Sequence, residues 1–138
     1  MTIISALHVN LRGNAREALE FYQSVFGGEL TAFPYGDTPS GQGPNQADQV
    51  AWGEVSTPDG FRIMAYDIQD SLEYHPGENA FYSALRSPDA GVITAAFTGL
   101  SAGATVLVPL GPVGFSPLYG KLVDKFGVVW ILDVIPQW

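Results

Sequence analysis

The sequence contains no cysteine, which removes disulfides, thiolate nucleophiles and Cys-based zinc sites while leaving the redox compartment open. Histidine is nearly as scarce: His8 and His75 are the only two in 138 residues, and they cap imidazole catalysis and metal ligation. Basic residues are also few, 6 Lys and Arg against 14 Asp and Glu for a formal net charge of -8, with no basic cluster. Phosphate neutralisation needs a positive footprint, so nucleic acid is not an expected partner. No apolar run reaches the roughly 18–20 residues of a membrane helix, and the amino terminus lacks the basic segment and cleavage site of an export signal. No membrane partner is expected, and the default location is cytoplasmic.

Two catalytic signatures are missing as well. The glycines at 36, 41 and 43 have no following Lys-Ser/Thr and no helix start, so they do not form a phosphate loop. No Gly-x-Ser-x-Gly elbow is present, and Ser-His-Asp catalysis has no support. What is present is a globular composition, 46% apolar and 14% charged, at a length that argues for one domain with room for two half-sized modules.

Ile3 to Leu11 alternates as a half-buried strand, with Leu7, Val9 and Leu11 on one face and Ala6, His8 and Asn10 on the other. Gly13-Asn14 ends it. Asn14, with Glu17 three residues later, predicts a capping box for a helix whose apolar stripe is Ala15, Ala18, Leu19, Tyr22, Val25 and Phe26, stopped by Gly27-Gly28. A second strand, about Glu29 to Tyr35, leads into a Gly- and Pro-rich stretch from Gly36 to Asp48 that reads as a mobile loop with nothing to bury. Val50 to Ser56 and Phe61 to Tyr66, joined at Pro58-Asp59-Gly60, predict a hairpin.

A polar linker, Ile68 to Asn79, precedes a second pass through the same order. Phe81 to Arg86 predicts a strand, and Ser87-Pro88-Asp89 a helix start with Ser87 as cap. Val92, Ile93, Ala96, Phe97 and Leu100 continue that helix to Gly103. Ala104 to Val108, Ser116 to Val123 and Val128 to Val134 supply three more strands, the last two joined at Asp124-Lys-Phe-Gly127. Short echoes support a duplication: Leu11-Arg12 against Leu85-Arg86, and Gly28…Pro34-Tyr-Gly36 against Gly103…Pro109-Leu-Gly111, the latter at one offset of 75.

The segment Gly13-Asn-Ala-Arg-Glu-Ala-Leu-Glu-Phe-Tyr22, continuing to Leu30, and the later Asp124-Lys-Phe-Gly-Val-Val-Trp-Ile-Leu132 resemble the PhnB-like branch of the vicinal oxygen chelate superfamily, also called the glyoxalase/bleomycin resistance/dioxygenase superfamily. The resemblance implies an α+β fold of two tandem βαβββ modules forming a curved mixed-sheet cup. One domain would span 1–138, with a module over about 1–67, a linker over 68–78 and a second module over 79–138. It also implies pairing as a homodimer, in keeping with modules near the size at which one core is marginal.

Metal-using members hold a divalent ion on four side chains from the first and last strands of the two modules, where it acts as a Lewis acid. Carried onto this sequence, those positions fall on His8, near Met64, near Ala80 or Phe81, and near Ile131. Only His8 is a good ligand, so the expectation is a cup without a metal or other cofactor. A non-inherited divalent site of His8, Glu54 and Asp133 is the alternative. The residues expected to line the concavity and hold a small organic ligand are His8, Trp52, Glu54, Arg62, Met64, Tyr66, Tyr82, Ile131 and Asp133. The plain readings stand beside these: His8 as a satisfied strand residue, and Trp52 and Tyr66 as filling between sheets. His75 reads as a solvated linker residue, Trp130 as core, and Asp124 and Lys125 as turn residues.

Two functions follow: a small-molecule binding protein, and a metal-dependent lyase, isomerase or dioxygenase of the glyoxalase type with His8 as ligand, base or catalytic residue and Glu54 or Asp133 assisting. A dimer with no ligand is the third, plainer reading. Relatives carrying a demethylubiquinone methyltransferase label are no guide, because no Gly-rich motif for a methyl donor is present.

Overall fold

A computed structural model describes residues 2–38 and 45–136. The chain divides into two compact units, Met1–Pro76 and Gly77–Trp138, and each is a four-stranded mixed sheet backed by one helix. The first contains β1 (Leu7–Leu11), α1 (Ala15–Phe26), β2 (Glu29–Pro34), β3 (Val50–Ser56) and β4 (Arg62–Asp67), with strand order β1-β4-β3-β2. The second contains β5 (Ser83–Ser87), α2 (Ala90–Leu100), β6 (Thr105–Val113), β7 (Ser116–Val123) and β8 (Val129–Val134), with order β5-β8-β7-β6. In both, the first strand runs parallel to the last and the remaining pairs are antiparallel. Two tandem βαβββ modules are therefore present, as the sequence pattern predicts.

Alternation decides which side chains face the helix. In the first module Val9, Leu11, Val55, Ile63 and Ala65 are buried on one side of the sheet, and Ala15, Ala18, Leu19 and Tyr22 of α1 meet them. Full burial of a side chain such as Leu19 or Ile63 contributes about 1.5–3 kcal/mol. In the second module Ile93 and Leu100 of α2 are buried with Leu122, Trp130, Leu132 and Val134 of the sheet. Each third strand also turns a glycine to its helix. A Cβ on Gly53 would collide with Leu19 Cδ1 of α1, and one on Gly120 would stand 2.6 Å from Phe97 Cε2 of α2. The helix approaches too closely there for any side chain.

The hairpins following those glycines repeat bond for bond. Thr57 N–H donates to the Phe61 carbonyl and Gly60 N–H to that of Thr57; Asp124 N–H donates to the Val128 carbonyl and Gly127 N–H to that of Asp124. Gly60 and Gly127 both take positive φ, 101° and 92°, a conformation that costs glycine nothing. The duplication is thus shown, but with two offsets. The hairpin strands correspond at a spacing of 67, since Gly53 matches Gly120 and Met64 matches Ile131, whereas the parallel pairings of Val9 with Ala65 and Leu85 with Leu132 align the first strands at 76. The difference arises between the second and third strands, where the first module has residues 35–49 and the second passes directly from Val113 to Ser116. The Leu11-Arg12 and Leu85-Arg86 echo is consequently out of register by two residues.

Several local expectations are corrected. The first strand begins at Leu7, not Ile3. Asn14 makes no side-chain cap on α1; Asp67 Oδ1, from the end of β4, accepts the N–H groups of Gly13 at 2.7 Å and Ala15 at 3.0 Å instead. Its Oδ2 accepts Val50 N–H at 2.9 Å, so one buried carboxylate ties helix start, third strand and fourth strand together. The cap of α2 is Asp89, accepting Gly91 N–H at 2.8 Å, while Ser87 ends β5 and its hydroxyl accepts Asp89 N–H. The 36–48 loop lies partly outside the described residues, namely 39–44. Its far end is anchored: Gln46 is buried and bonds the Ile68 carbonyl, Asp70 N–H and the Gln49 side chain.

Tyr35, also buried, donates its hydroxyl to the Asp67 carbonyl at 2.7 Å. Burial, and then the nearby Tyr66, Asp67 and Asp70, raises its pKa above the ordinary phenol value. The unfolded chain therefore ionises this phenol first, and the stability it contributes is present below pH ~10 and drains as pH rises through the folded value. Tyr35→Phe should be less stable than the wild type at pH 8 by about 1 kcal/mol, with the gap narrowing in urea unfolding as pH rises above the ordinary phenol value; a gap independent of pH would contradict this assignment.

Candidate functional site

The face of the first sheet opposite α1 is built by the alternate residues. β1 offers His8 and Asn10, β4 offers Arg62, Met64 and Tyr66, β3 offers Trp52 and Glu54, and β2 offers Thr31 and Phe33. The register sets a row across it, His8 beside Met64, Met64 beside Glu54 and Glu54 beside Thr31. Six of the residues singled out in the sequence, His8, Trp52, Glu54, Arg62, Met64 and Tyr66, are therefore brought together on this face.

His8 is exposed, with its Nδ1 2.8 Å from Asn10 Oδ1 and the Tyr66 ring edge-on at 5.1 Å. At the far end of the face Phe33 and Trp52 rings lie 5.7 Å apart and are 50% and 37% exposed. On the other side of Met64 from Tyr66, Arg62 forms an ion pair with Glu54, its Nη1 3.3 Å from both carboxylate oxygens. Tyr66 reaches Gln69 Oε1 at 3.4 Å, and Tyr74 donates its hydroxyl to the Asn10 carbonyl at 2.7 Å, so residues after β4 fold back to one border. Arg12 fastens them by donating to the Gln69 and Leu72 carbonyls.

In the second module the matching face carries Ala84 and Arg86 on β5, Val129, Ile131 and Asp133 on β8, and Tyr119 and Lys121 on β7. Asp133 is buried and held by Arg86 through two bonds, Nε at 2.9 Å and Nη2 at 3.1 Å. That pairing raises the Arg86 pKa further, through the hydrogen bonds first and the charge second. Tyr82 stands one residue before the strand expected to carry it. The fifth strand begins at Ser83 rather than Phe81, and Tyr82 precedes it with its ring under the Lys121 ammonium, 4.6 Å from centroid to nitrogen. The position matching His8 is Ala84, not Ala80 or Phe81, and Phe81 is 90% exposed. His75 lies outside the sheet and pairs with Glu73 at 3.0 Å.

The residues do not fit a divalent ion. The four positions at which metal-using members place ligands hold an imidazole, a thioether, a methyl group and an aliphatic chain, in His8, Met64, Ala84 and Ile131. Hard and borderline ions take oxygen and nitrogen donors, usually four or more with water. The alternative ligands Glu54 and Asp133 are each engaged by an arginine of their own module, and among the described residues no group of three or more His, Asp or Glu side chains gathers.

Asn10, Phe33, Tyr119 and Lys121 were not singled out from the sequence. Phe33 was reachable through alternation along β2 once its partner in β3 was fixed. Tyr119 and Lys121 were reachable by applying the 67-residue spacing to Trp52 and Glu54. Trp130 and Asp124 have the core and turn roles expected of them: the buried indole donates Nε1–H to Asp124 Oδ2 at 2.8 Å, while Oδ1 accepts Phe126 and Val128 N–H.

Two four-stranded sheets in tandem βαβββ order, each with one open face, define the class. The chain belongs to the Glyoxalase/Bleomycin resistance protein/Dioxygenase superfamily, whose sequence profile matches residues 6–132. It is similar to protein YjdN of Escherichia coli K12, 27% identical over 141 residues and 94% of each chain. Among solved structures it is similar to protein PA1353 of Pseudomonas aeruginosa, with 26% identity, a TM-score of 0.85, and 99% of this chain and 100% of that one covered. The PhnB protein of Bacillus cereus, also named a 3-demethylubiquinone-9 3-methyltransferase, matches with 26% identity, a TM-score of 0.67, and 94% and 98% coverage.

Proposed function

We propose that the protein binds a small, partly aromatic organic molecule on the open face of its first sheet, without a metal ion. The observation that carries this reading is the composition of that face: two ring pairs, His8 with Tyr66 and Phe33 with Trp52, share it with Met64 and a Glu54–Arg62 ion pair. An apolar body with a few fixed polar anchors is the usual make-up of a small-molecule site. Thioethers adapt to varied ligand shapes and make favourable contacts with rings, which suits Met64 at the centre. Glu54 gives the face one carboxylate that a cationic ligand can share with Arg62. The metal-dependent lyase, isomerase or dioxygenase reading loses ground on the donor set.

Titration with a planar aromatic cation such as berberine tests it. In a Trp138→Phe background, which leaves Trp52 and Trp130 as the two indoles, Trp52, more than one-third exposed, should be quenched saturably, and adding Trp52→Phe should abolish the saturable part while buried Trp130 emission is unaffected. Quenching that persists in Trp52→Phe, or a stoichiometric divalent ion retained through purification and required for binding, would sink the proposal.

A further inference from the structure

We infer that the open face of the second sheet takes a planar organic anion, an aryl or conjugated carboxylate, at the Lys121 ammonium. Lys121 stands mid-strand in β7, register-paired with Ile131 on one side and Val108 on the other. Arg86 and Asp133, on the same face, neutralise each other through a two-bond fork. Among the described residues no carboxylate lies within ion-pair reach of Lys121. In a chain with 6 basic and 14 acidic residues, Lys121 is half-buried along its stem and carries a positive charge that no acid of its own sheet answers.

Lys121 is instead partnered by an aromatic ring. The Tyr82 ring lies 4.6 Å from the ammonium, and its hydroxyl donates to Asn79 Oδ1 at 2.8 Å. Asn79 takes φ 60°, the left-handed conformation that asparagine adopts readily, and its side chain is placed to accept the Tyr82 hydroxyl. A ring face engages one side of an ammonium electrostatically and leaves its other N–H donors available. Tyr119, two residues before Lys121 and on the same face, carries the Phe115 ring edge-on at 5.1 Å, and Phe115 is 61% exposed. A cation flanked by aromatic side chains suits a ligand whose carboxylate meets the ammonium while its plane lies along the rings.

The duplication sharpens the case. Glu54 occupies the matching place in the first module and is answered by Arg62, whereas Val129, the residue matching Arg62, cannot answer Lys121. The two faces therefore differ in net charge at the same point of the same architecture.

NMR titration of the full-length protein with 2-naphthoate and with uncharged 2-naphthamide tests this. Naphthoate should bind about tenfold more tightly than the amide, the gain expected of a charge-assisted bond, and should shift the Lys121 Hε–Cε and Tyr82 ring signals. Lys121→Met should bring naphthoate down to the amide's affinity, with Lys121→Arg retaining the preference. Equal affinity for the two probes, no binding of naphthoate, a preference that survives Lys121→Met, or shifts confined to Trp52 and Tyr66 would each overturn the inference. It does not rest on the first-sheet reading, and Trp52 quenching by the cation reports on that face alone.

Discussion

Asp67→Ala is expected to lower the unfolding free energy by about 4 kcal/mol, measured by urea titration at neutral pH. The buried carboxylate accepts three backbone N–H groups, from Gly13, Ala15 and Val50, and hydrogen bonds to a charged acceptor are worth about 1.5–3 kcal/mol each, with further cost when buried donors are orphaned. The full sum is not expected, because Gly13 is partly exposed and water reaches its amide. Asp67→Asn separates geometry from charge. Its carbonyl oxygen can still accept from Gly13 and Ala15, but its amide then faces the Val50 N–H, donor against donor. A loss of about 2 kcal/mol is the expected result. A loss below ~1 kcal/mol for the alanine variant would mean that the start of α1 is satisfied without Asp67.

The same residue shows where sequence reading stops. Asp-Gly in a hairpin, the 3.6-residue stripe of α1 and the alternation of β3, β4 and β8 are local signals, and all specify elements found close to their expected bounds. The cap of α1 is not local. Asn14 has the right chemistry in the right place, but a carboxylate more than fifty residues away occupies the amides, and only the parallel β1–β4 pairing brings it there. The start of β5 is a smaller case: Phe81-Tyr82 has strand propensity, yet the pairing begins at Ser83, with the Tyr82 ring against Lys121 of β7.

The open face was half legible. Alternation correctly groups Trp52 with Glu54 and Arg62 with Met64 and Tyr66, because one register error would invert a whole strand and bury its polar side. Which charges are answered and which are not is invisible in a sequence. Glu54 and Asp133 look equally available as ligands until their arginines are seen, and Lys121 looks like any surface lysine until its lack of an acid partner is seen. The duplicated architecture supplies a reference that a single module would lack, since each departure at a matched position, His8 for Ala84 or Glu54 for Lys121, stands out against an otherwise repeated frame.

That reference also frames the second large effect. Thr57 and Asp124 occupy the same place in their hairpins. Thr57 Oγ1 accepts Phe61 N–H at 3.1 Å much as Asp124 Oδ1 accepts Val128 N–H at 3.0 Å. Asp124 does more, because its second oxygen takes the indole N–H of fully buried Trp130. Asp124→Ala should therefore cost about 3–4 kcal/mol, orphaning a buried indole donor along with turn amides. Asp124→Thr, which imports the first module's solution, should recover about half of that by restoring the turn alone. A double-mutant cycle isolates the remainder: Trp130→Phe removes the donor, so the loss from combining it with Asp124→Ala should fall short of the sum of the single losses by about 1–2 kcal/mol. Additive losses would show that the indole bond contributes nothing, and that Trp130 is held by its packing in the second core.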